Sequence, residues 1–263
     1  MFNEIYYVRY IIAGLCFTIA SWQDWKSREI SDKIWMAMVI IGVPLLLLEF
    51  NVRGMDNLWI MFTAISITFS TILGLTLYKI DMFGGADAKA LIALSILIPT
   101  LPENLTIKLN THPITPISTF NNSIIISTTP AIYLIIKNTI KIVNGERIFQ
   151  GLEDESILKK ILAIATGYRI PLEKLKNEKY KYPIEEIIVE ENSIKRKLNI
   201  KIGASMGEEK LREIVKLFEE GKIHRHIWVT PALPLIVFMS IGIVITLLYG
   251  DIIFKQILLM RMS

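Results

Sequence analysis

Apolar residues are concentrated in six segments of the chain, which cover residues 5–21, 34–50, 58–78, 86–101, 117–136 and 227–249. A helix needs about 20 apolar residues to cross a bilayer core of about 30 Å, and the third and sixth segments reach that length. Tryptophan and tyrosine residues flank the segments, which is typical of the interface between membrane and water. The pattern therefore predicts an all-α polytopic membrane protein with six transmembrane helices.

The stretch between the fifth and sixth segments has the mixed composition of a water-soluble domain. Residues 184–189 and 194–202 alternate between apolar and polar side chains, which predicts two strands joined by a turn at 191–193. A capping box from Ser205 to Glu208 begins a helix that ends at Gly221. An earlier helix, which Gly167 ends, is predicted by apolar residues at helical spacing: Ile157, Leu158, Ile161, Leu162 and Ala165.

Composition supports a membrane protein and excludes several other classes. The chain of 263 residues is 52% hydrophobic and 21% charged, with a mean hydropathy of +0.45. Disordered chains are poor in apolar residues, so disorder is excluded. The single cysteine, Cys16, excludes a disulfide scaffold. The net charge of +4 is too small to indicate a nucleic-acid partner, and we predict none.

The distribution of lysine and arginine predicts how the chain crosses the plasma membrane. Lys26, Arg28 and Lys33 lie in the first loop, and Lys79 and Lys89 flank the third. Cytoplasmic loops carry the excess of positive charge, so the first, third and fifth loops are predicted to be cytoplasmic and both termini to lie outside.

The predicted chain thus has three parts. Residues 1–136 hold helices 1–5 and the loops that would be catalytic, and residues 137–226 form a small cytoplasmic α+β domain inserted between helices 5 and 6. Residues 227–263 hold helix 6 and a C-terminal tail.

Two aspartates lie at the predicted cytoplasmic face and could carry chemistry. Asp24 follows the first segment, and Asp87 opens the fourth in Gly84-Gly85-Ala86-Asp87. Two carboxyl groups within hydrogen-bond reach share a proton, because both cannot ionise cheaply. The ionised one could activate a water and the protonated one could donate to a scissile carbonyl. Gly84, Gly85 and Ala86 would let an extended substrate approach Asp87.

Each aspartate also has an ordinary structural interpretation. Asp24 could be a solvated helix end or a partner of Lys26 or Lys89, and the two glycines could simply close a loop. Asp81 is a rival to Asp87, although it lies further from the apolar segment. Catalysis becomes the better interpretation only when both local patterns are considered together.

Together the two patterns, Asp24-x-Lys26-x-Arg28-x-Ile30 and Gly84-Gly85-Ala86-Asp87-x-Lys89, resemble the membrane aspartic peptidases of the GxGD type, which process type IV prepilins and archaeal preflagellins. Ala86 replaces the second glycine of GxGD, which suits the archaeal branch. The resemblance covers roughly residues 15–100. It implies cleavage of a short basic leader from preflagellin or pilin-like precursors, with Asp24 and Asp87 as the catalytic dyad and with neither metal nor cofactor.

Further residues follow from this hypothesis. The carboxylates of Glu29, Asp32 and Asp81 would receive the positive charges of the leader at the cytoplasmic side. Pro231 begins Pro231-Ala232-Leu233, which resembles the Pro-Ala-Leu of presenilin-type GxGD proteases and is predicted to begin the sixth span near the dyad. His224 and His226 are surface residues on this interpretation, because a zinc site needs three or four protein ligands.

Two alternatives from other classes stay open at this point. A small transporter or channel could use the two aspartates as an ion or proton relay. Such proteins often contain inverted repeats, and we find none in this sequence. A non-catalytic membrane anchor for the inserted domain, acting in pilus or flagellum assembly, is the other alternative. On every interpretation the membrane lipid is a partner.

Overall fold

The computed structural model describes residues 2–175, 180–190, 193–200, 204–220 and 226–262. The chain forms two compact units, one comprising Met1–Ser127 with Pro234–Ser263 and the other comprising Thr128–Leu233. The second unit includes the whole of the segment 137–226, while the predicted division into three parts stays a prediction.

The first unit is built from helices. They are α1 (Phe2–Ser27), α2 (Asp32–Arg53), α3 (Asn57–Lys79), α4 (Gly85–Leu97), α5 (Glu103–Leu109) and α6 (Thr115–Ser127), followed after the second unit by α11 (Leu235–Tyr249) and α12 (Ile252–Met262). The second unit contains α7 (Thr129–Val143), α8 (Ile157–Thr166), β1 (Tyr168–Pro171), α9 (Leu172–Leu175), β2 (Lys181–Pro183), β3 (Glu185–Glu190), β4 (Ser193–Leu198), α10 (Ala204–Glu219) and β5 (His226–Pro231).

Several of these helices are long and apolar enough to cross a membrane. Among the residues that the structure describes, four stretches meet that condition: Glu4–Ser27, Asp32–Arg53, Asn57–Lys79 and Thr115–Val143. The pair α11 and α12, bent by 47°, makes a fifth if it counts as one span. The chain is therefore a mostly helical multi-pass membrane protein with a small part of mixed helices and strands, and the prediction of six spans is not confirmed.

The predicted fourth span is the short helix α4, which has 13 residues. A spanning helix needs about 17–25, so α4 is too short to cross a bilayer alone. Its apolar residues are instead buried by protein, with Leu91, Leu94 and Leu97 at most 1% exposed, and it contacts α2, α3 and α6. A helix enclosed on all sides is apolar around its whole circumference, which is why its sequence looks like a span.

The predicted sixth span, 227–249, divides into a strand and a helix. Residues 226–231 form β5, and helix α11 begins only at Leu235, directly after Pro234. The prediction that Pro231 begins a membrane helix is therefore wrong, since Pro231 is the last residue of β5. A short apolar run such as Ile227–Val229 fits a buried strand as well as a buried helix, so periodicity alone could not decide.

Helices α6 and α11 pack closely because Gly242 has no side chain. A Cβ atom there would lie 2.6 Å from the carbonyl oxygen of Thr119 on α6 and would collide with Ser123 Oγ. Helix α11 also contacts α1. This close packing helps to fix the position of α11, whose first turn forms part of the site described below.

The second unit contains a three-stranded antiparallel sheet in the order β1-β5-β2 and a separate hairpin of β3 and β4. The hairpin confirms the two predicted strands, and α8 with its C-cap Gly167 confirms the predicted helix. Glu185 and Arg196 pair across the hairpin, with 2.7 Å from Arg196 Nε to Glu185 Oε2. The Glu185 side chain is fully buried and also accepts a hydrogen bond from the backbone N–H of Trp228.

Some predictions for this unit fall outside the described residues. They concern the turn at 191–192, the strand end at 201–202, the helix end at Gly221, and His224. Residues 204–219 are helical as predicted, and Ile214 of this helix is buried beside Leu211 and Phe218.

Candidate active site

Asp24 lies in the last turn of α1 and is buried, with 7% of its surface exposed. Its Oδ2 atom accepts a hydrogen bond from the backbone N–H of Ile236 at 3.1 Å, and its Oδ1 atom lies 3.4 Å from Nη1 of Arg28. Ile236 is the second residue of α11, and the first N–H groups of a helix have no partner within the helix. The carboxylate of Asp24 therefore caps α11 from a helix that is remote in sequence.

Asp87 lies in the first turn of α4 and is partly buried. Its Oδ2 atom accepts a hydrogen bond from the backbone N–H of Gly84 at 3.0 Å. A Cβ atom on Gly84 would lie only 3.2 Å from that same oxygen, so a glycine leaves room for the carboxylate at this position. Gly85 has more space, since a Cβ there would lie 3.7 Å from the Tyr78 ring. Ala86 is partly buried.

The two aspartates come from different helices and influence one another. Helices α1 and α4 are in contact, and both carry their aspartate close to a helix end. Asp87 lies outside the candidate spans, and its burial raises the pKa of its carboxyl to about 6. The N–H of Gly84 and the charge of Arg28 lower this pKa, while the negative charge of Asp24 raises it. The negative charge of Asp24 thus favours the protonated form of Asp87.

The three acidic residues predicted to bind a leader are all exposed. Asp32 begins α2 and pairs with Lys89 of α4, with 2.7 Å between Oδ1 and Nζ. Asp81 lies between α3 and α4 with a φ of 58°, and Glu29 lies between α1 and α2. Lys89, one of the partners suggested for Asp24, is thus paired with Asp32. Pro231 belongs to the second unit, and its role near the dyad stays a prediction.

Two contacts of Asp24 escaped the sequence reasoning. The spacing of four residues between Asp24 and Arg28 could have indicated their pairing, because such residues share one face of a helix. The contact with the N–H of Ile236 had no sequence signal beyond Pro234, which marks a helix start more than 200 residues away.

Most of the chain is similar to known leader peptidases. The family model described as "Type IV leader peptidase family" matches residues 11–132, which include both aspartates. A second model, "Archaeal Peptidase A24 C-terminus Type II", matches residues 159–252. The preflagellin peptidase of Methanococcus voltae is 28% identical over 258 residues, which is 95% of this chain and 99% of the relative. The preflagellin peptidase of Methanococcus maripaludis is 27% identical over 250 residues, with 93% and 96% covered. The chain therefore belongs to the type IV leader peptidase family.

Proposed function

We propose that the protein is a membrane aspartic endopeptidase of the GxGD type that removes the short basic leader from preflagellin and from type IV pilin-like precursors. The observation that carries the proposal is that Asp24 and Asp87 lie at the ends of two helices, α1 and α4, that contact each other. The negative charge of Asp24 also raises the pKa of Asp87. The relatives named preflagellin peptidase support the substrate. They also favour peptide hydrolysis over the transporter and over the non-catalytic anchor.

The surroundings of the two carboxyl groups suggest which one holds the proton. Asp24 is the better anion, because it accepts the N–H of Ile236 at a helix N-terminus, where negative charge is favoured, and lies beside Arg28. Asp87, with its raised pKa, is the better acid. Asp24 then removes a proton from a water as the water oxygen attacks the scissile carbonyl carbon, and Asp87 protonates the carbonyl oxygen. The protonated Asp24 then gives its proton to the amide nitrogen, and the ionised Asp87 takes a proton back from a hydroxyl of the tetrahedral intermediate. The C–N bond breaks, the leader is released with a new carboxyl group, and the two carboxyl groups return to their starting states.

The proposed site faces the cytoplasm at the plasma membrane, with the inserted domain on the same side and both termini outside. The distribution of lysine and arginine supports this orientation. The basic leader would bind to Glu29, Asp32 and Asp81. The carboxylate of Asp32 forms an ion pair with Lys89 in this structure. A leader lysine or arginine would compete with Lys89 for this carboxylate.

The chemistry is tested with purified protein and a tagged preflagellin, by following the loss of the leader as a size shift on a gel. We expect Asp24→Asn and Asp87→Asn to abolish the shift. Asp56→Asn is a matched control, because Asp56 also caps a helix of the first unit, accepting the N–H of Trp59 at 3.1 Å, and has no part in the proposed dyad. Full processing by either dyad variant would overturn the proposal, and so would an inactive Asp56→Asn protein if it is folded.

The leader contacts are tested separately with two substrates, one with a basic leader and one in which the basic residues are replaced by glutamine. Asp32→Asn and Asp81→Asn should raise KM for the basic leader more than for the neutral one, with little change in kcat. Equal changes for both substrates would show that these carboxylates do not read the leader charge.

A further inference from the structure

Helix α8 of the second unit turns its apolar face outward. Ile157 is 76% exposed, Leu158 67%, Ile161 55% and Leu162 40%. The opposite side of the helix carries Ala163, which is fully buried in a core with Trp228. An amphipathic helix of a soluble domain normally buries its apolar stripe, so this arrangement is inverted. A contiguous exposed apolar surface of this kind marks a site where a protein partner or a membrane binds.

The polar side of α8 is held by charged contacts. Lys159 Nζ pairs with Glu155 at 2.9 Å, and Lys160 Nζ donates to the carbonyl oxygen of Glu153 at 2.7 Å. Both lysines lie next to the exposed apolar stripe along the helix. Lysines beside an apolar stripe are typical of helices that lie in the plane of a membrane interface.

The C-terminal end of α8 is attached to α7, which belongs to the candidate span Thr115–Val143. The buried side chain of Asn138 donates hydrogen bonds to the carbonyl oxygens of Ile164, at 2.9 Å, and of Gly167, at 2.7 Å. These two oxygens are acceptors that the end of a helix leaves without a partner inside the helix. Asn138 therefore fixes the position along α7 at which the C-terminal end of α8 is attached.

This point of attachment lies within the candidate span, close to its C-terminal end. Asn138 comes five residues before Val143, which corresponds to about 7.5 Å along the axis at about 1.5 Å per residue. Interfacial helices bury their apolar faces to a depth of about 5–10 Å. Aromatic and basic residues also meet at this level, since Lys137 Nζ lies 5.7 Å from the centre of the Tyr133 ring and 5.1 Å from that of Tyr168. Such residues mark the boundary between membrane and water.

We propose that α8 is an interfacial membrane helix whose outward face of Ile157, Leu158, Ile161 and Leu162 inserts among the lipid acyl chains. The occupant is lipid rather than protein because α7, to which α8 is attached, also exposes apolar side chains along its length. Ile132, Ile136 and Ile140 are each 55% exposed. The apolar surface of α8 is thus attached to the surface of a span that must itself face lipid. The inserted domain is thereby anchored along the membrane surface, independently of any catalytic role.

The experiment uses the full-length protein with single labels. Cys16 is replaced by alanine, which removes the only native thiol. Single cysteines then replace Ile161 or Leu158 on α8, Ile132 on α7 as the membrane reference, and the exposed Glu213 on α10 as the matched control for the surface of the domain. Each variant is labelled with an environment-sensitive fluorophore and reconstituted into vesicles of phosphatidylcholine and phosphatidylglycerol, with or without lipids brominated at a shallow or a deep position of the acyl chain.

We expect labels at positions 161 and 158 to emit at shorter wavelength than the label at 213 and to be quenched by brominated lipid. Shallow bromine should quench them more than deep bromine, whereas quenching of the 213 label should be negligible. Emission and quenching like those of the 213 label would overturn the proposal, because the face would then be in water. Short-wavelength emission without lipid quenching would also overturn it, because the face would then be covered by protein.

Discussion

Asp24 caps a helix and is also the proposed catalytic base, and two substitutions separate these roles. Its Oδ2 atom accepts the N–H of Ile236 in the first turn of α11. The amide oxygen of asparagine can accept the same hydrogen bond but cannot take up a proton from water. Alanine can do neither. Asp24→Asn should therefore remove the chemistry and keep the cap, while Asp24→Ala removes both.

The magnitudes follow from the surroundings of the side chain. Loss of a helix N-cap costs about 0.5–2 kcal/mol, and a donor left buried without a partner costs about 1–3 kcal/mol. Asp24 is only 7% exposed, so water cannot fully replace the carboxylate. We expect Asp24→Ala to lower the free energy of unfolding by about 1–3 kcal/mol and Asp24→Asn by less than about 1 kcal/mol. Both should reduce processing by about 10²–10⁴-fold or more, the usual contribution of general acid–base catalysis.

Stability is measured by titrating sodium dodecyl sulfate into the protein in mixed micelles and following tryptophan fluorescence, and activity by the preflagellin size shift. The same two substitutions at Asp56 give the control, since that cap serves α3 without contributing to the dyad. Asp56→Ala should lower the free energy of unfolding more than Asp56→Asn, and both should leave processing intact. An active Asp24→Asn protein would refute the catalytic role. An Asp24→Ala protein as stable as the asparagine variant would refute the capping role.

Three further predictions concern other parts of the molecule. A general acid works when protonated, so with the pKa of Asp87 raised to about 6 the processing rate should fall as the pH rises from about 6 to about 9. A constant rate over that range would contradict its role as the acid. Arg196→Met leaves the buried carboxylate of Glu185 without its cation and should lower the free energy of unfolding by about 3–5 kcal/mol, measured by thermal or denaturant unfolding. Lys197→Met, at an exposed neighbouring position, should change it little. Gly242→Ala should lower the free energy of unfolding by about 1–3 kcal/mol, because the added methyl group overpacks α6 against α11. Gly14→Ala should not lower it, because nothing lies within 4 Å of a Cβ at that position. Equal effects of the two substitutions would refute this packing argument.

The sequence predicts the parts of this fold that depend on local patterns. The long helices α1, α2 and α3 follow from continuous apolar segments, and the strands β3 and β4 and the helix α8 follow from hydrophobic periodicity. The predicted span at 86–101 is not confirmed, and the prediction that a span begins at Pro231 is wrong, because burial by protein and burial by lipid select the same apolar residues. Only tertiary contacts distinguish a helix enclosed by protein, or the central strand of a small sheet, from a membrane span.

The candidate site shows a similar division. The two aspartates could be singled out from the sequence because each lies beside an apolar segment, where a carboxylate needs a reason to be present. The spacing of four residues could have indicated the pairing of Asp24 with Arg28, although Arg28 lies just after the end of α1 with a φ of 55°. The contact with Ile236 could not be predicted in this way, because it joins residues that are brought together only by the packing of α11 against α1. The outward face of α8 could not be predicted either, since periodicity identifies an apolar face without saying what covers it.

The two aspartates contact helix N-termini in different ways, and this difference would make the proposed dyad asymmetric. Asp87 accepts the N–H of Gly84 at the start of its own helix. Asp24 accepts an N–H at the start of a second helix and has the guanidinium of Arg28 nearby as well. A negative charge is therefore better stabilised on Asp24 than on Asp87, while burial disfavours charge on both. In the proposed dyad a single shared proton would therefore belong on Asp87, and the packing of α11 against α1 would decide which carboxyl group is the base and which is the acid.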